Sequence, residues 1–314
     1  MKAACVILLL LLATARLGVA QAPGVPVYNE GRGARQNAAL QEQAKKLQAA
    51  GALLPMAKVA EQAKRKECTL HLPPADTQPL PPRDRWQRAR LSHIRIGAFF
   101  LCSKCDRWHL DLAGGYAITA DGAVATCAHV IAPPEDMKEG WLVAANEDDE
   151  LLPVTEVLAC NEGTDSAIVR VQSDKPLTPL PLSVDVSPGD PVWCFSDPNG
   201  KRGHFSDGIV SRFVKRPFLS KKETAGRLPE GGVLPRPVWL ETTAEWAPGS
   251  SGSAVIDQFG NCVGHVSEIQ SVLEDPLPAR KRKDGKEVPR PQGTLIIFHQ
   301  AIAAGEVLAL VKKP

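Results

Sequence analysis

Short apolar runs separated by turn residues fill the chain from about residue 94 onwards. Such runs, bounded by Gly, Pro, Asn and Asp, are typical of β-strands. Candidate strands lie on both sides of a proline-rich stretch at 175–190. The first set is Ile94–Leu101, Gly115–Thr119, Ala123–Cys127, Trp141–Ala145, Val154–Ala159 and Ser166–Val171. The second set is Pro191–Phe195, Gly208–Val214, Pro237–Thr243, Ser253–Ile256, Cys262–Ser267 and Thr294–His299. The pattern predicts an all-β fold of two six-stranded antiparallel β-barrels, at about 92–174 and about 190–300.

Helical periodicity is confined to the two ends of the chain. Apolar residues recur at helical spacing in 34–50, and a second short helix is predicted from Pro55 to Lys66. A proline-rich stretch, 72–83, should be extended and stiff. Residues 21–83 are therefore predicted to form a helical arm and linker. Three roles are open for this arm: it covers part of the main domain, it binds a partner, or it inhibits the domain. The main domain is placed at 84–314, with a closing helix at 301–311.

The first twenty residues have the pattern of a signal peptide. Lys2 supplies the positive start, Val6–Leu12 the apolar centre and Gly18-Val19-Ala20 a small-residue cleavage site. The apolar run is shorter than the roughly 20 residues that a membrane-spanning helix needs. We expect export to the periplasm or outside the cell without stable membrane insertion; a retained anchor is the alternative.

Charge and composition exclude one class of partner. The net charge is only +2, from 37 basic and 35 acidic residues, and 5% of the residues are aromatic. Neither a basic surface nor a base-stacking surface is indicated, so nucleic acid is not expected as a partner. The basic stretches 215–227 and 280–290 are predicted to be solvated loops, with a regulatory or anionic-partner role as the alternative.

Seven cysteines remain after the predicted signal peptide. In an oxidising compartment some of them should pair, and an odd number leaves at least one thiol unpaired. Cys102, Cys105 and His109, with Cys68 and His71 upstream, form a disulfide, a zinc-like ligand set or free thiols. Asp106 stands where c-type haem attachment would need histidine.

The segment 245–257 is the strongest candidate for chemistry. Its Pro-Gly-Ser-Ser-Gly turn leads directly into an apolar strand, an arrangement that can expose one serine hydroxyl, at Ser251. A serine becomes a nucleophile when a histidine removes its proton and a third group orients that histidine. His129 follows a strand that ends in small residues, and Asp165 precedes another strand.

These segments resemble the motifs of trypsin-like serine proteases. Thr126-Cys127-Ala128-His129 is similar to the family's Thr-Ala-Ala-His, and Asp165-Ser166-Ala167-Ile168-Val169 to its Asp-Ile-Ala-Leu-Leu. Gly249-Ser250-Ser251-Gly252-Ser253 is similar to its Gly-Asn-Ser-Gly-Gly, and the three motifs follow in the family's order. Gly208-Ile209-Val210-Ser211 resembles a strand of the bacterial HtrA/Deg branch. The resemblance covers about 94–311, so none of the PDZ domains common in that branch is expected.

The resemblance implies an exported serine endopeptidase that acts on proteins or peptides and needs no metal or organic cofactor. Ser251 would be the nucleophile, His129 the base and Asp165 its orienting acid, with the amides of Gly249 and Ser251 as the oxyanion hole. Ser250 is a rival nucleophile.

The resemblance also points to a specificity pocket near Glu245 and Trp246. An acid at 245 would favour basic substrate side chains, but Trp246 could fill the pocket instead, with Glu245 facing solvent. The rival function is a catalytically inactive domain that binds peptides or a cell-envelope partner. The sequence carries no signal for an oligomeric state. An α/β-hydrolase is excluded, because Ser253 stands where its nucleophile turn needs glycine and the order of the triad differs.

Overall fold

Strands dominate the architecture of the chain. The computed structural model describes residues 25–28, 33–218, 235–275, 280–281, 287–288 and 292–314. Its helices are α1 (Gly33–Ala49), α2 (Met56–Gln62), α3 (Pro82–Ser92) and α4 (Ala304–Leu308). The strands up to the proline-rich stretch are β1 (Leu54–Pro55), β2 (Cys68–Thr69), β3 (Arg95–Cys102), β4 (Trp108–Ala113), β5 (Tyr116–Ala117), β6 (Ala123–Thr126), β7 (Met137–Ala145), β8 (Leu151–Asn161) and β9 (Ser166–Val171). Those after it are β10 (Pro191–Ser196), β11 (His204–Lys215), β12 (Val238–Thr242), β13 (Ala254–Ile256), β14 (Cys262–Leu273), β15 (Arg280–Lys281), β16 (Glu287–Val288), β17 (Thr294–Ala303) and β18 (Val311–Lys312).

The first half of the main domain is an eight-stranded sheet in the order β4-β3-β7-β8-β9-β6-β5, with β1 paired beside β7. A bridge between His93 and Tyr116 links the end of the sheet at β5 back to the segment that leads into β3. Ile96, Leu142 and Val169 are fully buried in its core. Their burial removes apolar surface from water and stabilises the curled sheet.

The second half is a closed six-stranded barrel in the order β10-β11-β12-β17-β14-β13. Val192, Val210, Leu240 and Val255 fill its interior, each without exposed surface. The predicted all-β, trypsin-like fold class is therefore confirmed.

Each predicted strand overlaps an observed one, but the sequence pattern missed β4 and α3. The closing helix predicted at 301–311 is wrong in its limits. Ala301 and Ile302 still belong to β17, where they pair with Leu240 and Trp239 of β12. This pairing overrides the helical spacing of the apolar residues, so that the helix is confined to Ala304–Leu308.

The helical arm packs on the first sheet. Leu40 and Ala44 of α1 are buried against Phe99 and Val143, in one apolar cluster. The predicted signal peptide lies outside the described residues, as do 219–227 and most of 280–290 of the two basic stretches. Among the described helices, none is both long and apolar enough to cross a membrane.

Candidate active site

His129 and Asp165 meet in the structure. His129 lies in a single helical turn, Ala128–Val130, just after β6, and Asp165 directly precedes β9 with a left-handed φ of 47°. The imidazole Nδ1 is 3.0 Å from Oδ1 and 2.9 Å from Oδ2 of Asp165. The backbone N–H of His129 also donates to Oδ1, at 3.0 Å. The carboxylate therefore holds both the ring and the backbone of His129.

Burial separates the roles that these two side chains can take. The Asp165 side chain has no exposed surface, whereas that of His129 is 41% exposed. Burial raises the pKa of Asp165, but the hydrogen bonds and positive charge of His129, with the Ser267 hydroxyl, outweigh it and keep the pKa below its usual value. Burial lowers the pKa of His129, but the hydrogen bond and charge of Asp165 leave it above the usual value. His129 can thus exchange a proton with a bound molecule, while Asp165 stays ionised.

The backbone around the pair is fixed by a third strand, β14. The Ser267 hydroxyl donates to Oδ2 of Asp165 at 2.6 Å, and His265 Nε2 lies 3.0 Å from the backbone oxygen of Asp165. Cys127 is fully buried, and its Sγ donates to the backbone oxygen of Val266 at 3.1 Å. Sequence reasoning missed Ser267 and His265, for which no local motif exists.

The Ser251 turn is held on the first sheet by its backbone. The N–H of Gly114 donates to the backbone oxygen of Ser251 at 2.7 Å, and Thr126 Oγ1 donates to that of Gly114 at 2.7 Å. Gly252 has a φ of 82°, and a Cβ there would lie 2.3 Å from the oxygen of Gly114. Glycine is therefore required at 252 for both reasons. These contacts bring the turn to the strand that leads into His129.

Two backbone amides of the Ser251 turn are hydrogen-bond donors that have no acceptor among the described residues. Among the described residues, the N–H groups of Gly249 and Ser251 donate to no protein oxygen. Gly249 has a φ of 97°, and the turn closes through Ser250 N to Ala247 O at 3.1 Å. The amides can thus receive an oxygen that develops negative charge.

The two serines of the turn differ in exposure. Ser250 is fully buried and its hydroxyl donates to Ser196 Oγ at 3.1 Å, whereas Ser251 is only partly buried. No hydrogen bond joins Ser251 to His129, both of which are described. Hydrogen bonds between nucleophile and base are often long before substrate binds.

The two residues predicted to bind substrate side chains face different environments. Glu245 is exposed, and its backbone oxygen accepts a 2.7 Å hydrogen bond from Ser206. Trp246 is buried: its Nε1 donates to the backbone oxygen of Glu268 at 3.2 Å and its ring packs edge-on against His299 at 5.2 Å. The indole ring of Trp246 is therefore part of the apolar core of the barrel.

The seven cysteines of the described residues are free thiols, so the structure shows no disulfide among them. Cys68 lies on β2, which pairs with β18. Cys102, Cys105 and His109 instead form a separate group at the turn between β3 and β4. The structure thus splits the ligand set that the sequence suggested.

A closed barrel beside an antiparallel sheet, together with a histidine–aspartate pair and a serine turn, resembles the arrangement of trypsin-like peptidases. Residues 113–264 of the chain match the sequence model of the trypsin-like peptidase domain.

Curated relatives agree with this class. The chain is 31% identical over 177 residues to serine protease PepD of Mycobacterium tuberculosis, covering 54% of this chain and 36% of the relative. It is 28% identical over 173 residues to the mitochondrial serine protease HTRA2 of Bos taurus, covering 54% and 34%. It is 27% identical over 163 residues to a probable periplasmic serine endoprotease, DegP-like, of Halomonas elongata, covering 51% and 30%. The chain thus spans about a third of the length of these relatives.

Proposed function

We propose that this chain is an exported serine endopeptidase that hydrolyses peptide bonds in proteins or peptides. The observation that carries the proposal is the His129–Asp165 pair, in which a fully buried carboxylate orients a 41% exposed imidazole. The serine protease relatives support the reaction class. The periplasmic name of one relative and the signal-like residues 1–20 support export.

The reaction would begin with the Ser251 hydroxyl. Its oxygen attacks the peptide carbonyl carbon while its proton passes to Nε2 of His129, and the carbonyl electrons move to the oxygen. His129 then gives this proton to the leaving amine, and an acyl-enzyme forms. Water repeats the sequence with His129 as base and restores Ser251. Asp165 keeps Nδ1 as the protonated ring nitrogen and stabilises the imidazolium.

The amides of Gly249 and Ser251 would stabilise the tetrahedral intermediate. Such preorganised donors are typically worth about 3 kcal/mol each in the transition state, because they need no reorientation during the reaction. Their lack of another acceptor within the described residues supports this role.

The position of Trp246 suggests a preference for small substrate side chains. Trp246 is buried in the barrel core next to Glu245, the position that the resemblance assigns to the specificity pocket, while Glu245 is exposed. We therefore favour a small apolar residue before the cleaved bond over a basic one. Cleavage of a peptide library, followed by mass spectrometry, tests this; preferential cleavage after Lys or Arg would contradict it.

A second candidate function is peptide binding without hydrolysis. It is favoured by the absence of a hydrogen bond between the described Ser251 and His129 side chains. The two functions share the same cleft but differ in the reactivity of one hydroxyl group.

A fluorophosphonate probe separates the two candidates. The wild-type chain should be labelled stoichiometrically, and Ser251→Ala should abolish labelling. Ser250→Ala is the matched control, because Ser250 is buried and bonded to Ser196, and its labelling should remain within a few-fold of wild type. Absence of labelling in the folded wild type, or labelling that survives Ser251→Ala, would contradict the proposed nucleophile.

A further inference from the structure

The turn between β3 and β4 brings three potential metal ligands together. Cys102 ends β3, Cys105 lies in the turn and His109 is the second residue of β4. One ligand atom from each residue lies within 4.8 Å of the other two, and Cys105 Sγ is 3.1 Å from Nε2 of His109. None of these residues takes part in the proposed reaction at Ser251.

The backbone of the turn brings the sulfur atoms of Cys102 and Cys105 close together. The N–H of Lys104 points to Sγ of Cys102 at 3.4 Å, and the N–H of Asp106 donates to the backbone oxygen of Cys102 at 3.2 Å. Asp106 has a left-handed φ of 51°, which reverses the chain directly after Cys105. An N–H group directed at sulfur stabilises a thiolate, because hydrogen bonds to the charged form favour it.

The third ligand is placed by the strand pairing. Phe100 of β3 pairs with His109 of β4, and their rings stack with centroids 5.4 Å apart and planes inclined by 23°. This stacking restricts the imidazole to an orientation in which Nε2 faces Cys105. Two neighbouring strands and their turn therefore supply all three ligand atoms.

We propose that Cys102, Cys105 and His109 bind one Zn²⁺ ion. Zinc prefers thiolate sulfur at about 2.3 Å and imidazole nitrogen at about 2.0–2.1 Å, in a tetrahedron. Ligand atoms at these bond lengths are about 3.3–3.8 Å apart, so small side-chain rotations suffice from the observed spacing. A water molecule completes the tetrahedron. Soft sulfur donors favour zinc over magnesium or calcium.

The two carboxylates near the site are already paired with lysines and are not expected to compete with the three ligands for zinc. Asp136 pairs with Lys104 at 2.8 Å and Asp106 pairs with Lys138, so each carboxylate already has a cationic partner. On binding, each thiol loses its proton to solvent, and two thiolates with one neutral imidazole balance the 2+ charge.

The site would join β3 to β4 and so stabilise the hairpin. β4 ends at Ala113, and the next residue, Gly114, donates to the backbone oxygen of Ser251 at 2.7 Å. Because the ligands lie at the opposite end of β4, zinc is expected to act on stability rather than on the chemical step.

The test uses the full chain, reduced and freed of metal with a chelator. Titration with Zn²⁺ against a chromophoric chelator should give one ion per chain and raise the melting temperature. Titration with Co²⁺ should give the absorption band of cobalt bound to thiolate. Cys105→Ser and His109→Ala should each weaken zinc binding by more than the roughly 10–100-fold typical of outer-shell changes.

Cys68→Ser is the matched control, since Cys68 is a partly buried thiol on β2, away from this turn; it should bind zinc as the wild type does. Cys105 is exposed, so its serine variant is expected to fold, and circular dichroism verifies this. The proposal is overturned if the reduced wild type binds no zinc, or if the Cys105 and His109 variants keep wild-type affinity. A Cys102–Cys105 disulfide that forms in preference to zinc binding would also overturn it. None of these three results bears on the Ser251 proposal, which the fluorophosphonate probe tests separately.

Discussion

Ser267 Oγ donates a 2.6 Å hydrogen bond to Oδ2 of Asp165, the carboxylate oxygen that lies 2.9 Å from Nδ1 of His129. The Asp165 carboxylate therefore accepts hydrogen bonds from Ser267, on strand β14 of the barrel, and from His129, which follows β6 of the first sheet. A single buried charge joins the two halves of the site.

Replacing Ser267 by Ala tests this link. A hydrogen bond to a buried charged group contributes about 1.5–3 kcal/mol, so the free energy of unfolding at pH 7 should fall by that amount. The pKa of Asp165 is lowered in the folded state, so this stability is present above the unfolded value and is lost as pH falls through the folded pKa. The difference between variant and wild type should shrink accordingly in urea titrations from pH 7 to pH 3.

Ser271→Ala is the matched control, because Ser271 is exposed on the same strand. Its unfolding free energy should change by less than about 0.5 kcal/mol. Equal losses in the two variants would show that the Ser267 hydroxyl does not stabilise the Asp165 charge.

The raised pKa of His129 gives a second prediction. In the proposed reaction His129 acts as the base and must be unprotonated, so kcat/KM should rise with pH through a value above the ordinary pKa of His. Asp165→Asn removes the charge that raises this pKa, so the acid limb should move to lower pH, and kcat should fall by about 10⁴-fold. The exposed Asp185→Asn variant should keep the wild-type profile. An acid limb that stays in place in Asp165→Asn would contradict the assignment.

The strands and the three motif residues were accessible to sequence reasoning because each has a local signal. β4 also has a local signal, since Trp108, Leu110 and Leu112 alternate with polar residues. The nearby cysteines and His109 led to the prediction of a ligand set there and not of a strand. The start of the closing helix was misplaced because strand pairing, a tertiary effect, decides where β17 ends.

Ser267 was not accessible in this way. A single serine in a strand has no local signature, and its contact with Asp165 depends on β14 meeting a residue 102 positions away in sequence. The same holds for Trp246, whose burial follows from its contacts with Glu268 and His299 rather than from its neighbours in sequence.

The left-handed backbone of Gly249 provides a third prediction. Its φ is 97°, and a Cβ there would lie 3.1 Å from the backbone oxygen of Asp197. Gly249→Ala should shift the turn and its amide, and loss of one oxyanion donor lowers kcat by about 10²–10³-fold. Kinetics on a chromogenic peptide, with circular dichroism to check folding, measure this.

Gly189→Ala is the control that separates the stability cost of a left-handed backbone from the loss of the Gly249 amide as a donor. Gly189 has a nearly identical φ of 96°, but a Cβ there meets nothing within 4 Å. Both variants should lose about 1 kcal/mol or more of stability from the left-handed φ, whereas only Gly249→Ala should lose activity. A similar loss of kcat in both would argue against a donor role for the Gly249 amide.

Asp197 anchors the turn that supports Gly249. Its Oδ1 accepts from the N–H of Gly203 at 2.8 Å, and its Oδ2 lies 3.5 Å from Nε of Arg202 and 3.9 Å from Nε2 of His93. In the same turn, Asn199 N–H donates to the backbone oxygen of Pro248 at 2.7 Å. The backbone of this turn therefore contacts Pro248, the residue that precedes Gly249.

Asp197→Asn should make the protein less stable at neutral pH but less sensitive to acid. Burial alone raises the pKa of Asp197, but His93, the Gly203 amide and Arg202 outweigh it and lower the pKa from 3.8 to about 2. This shift corresponds to about 2 kcal/mol, present above pH 3.8 and lost as pH falls towards 2. Urea unfolding should show this deficit at pH 7 and a much smaller one near pH 2, while the exposed Asp185→Asn variant follows the wild type throughout. A deficit independent of pH would mean that Asp197 stabilises the turn through shape and neutral hydrogen bonds instead of its charge.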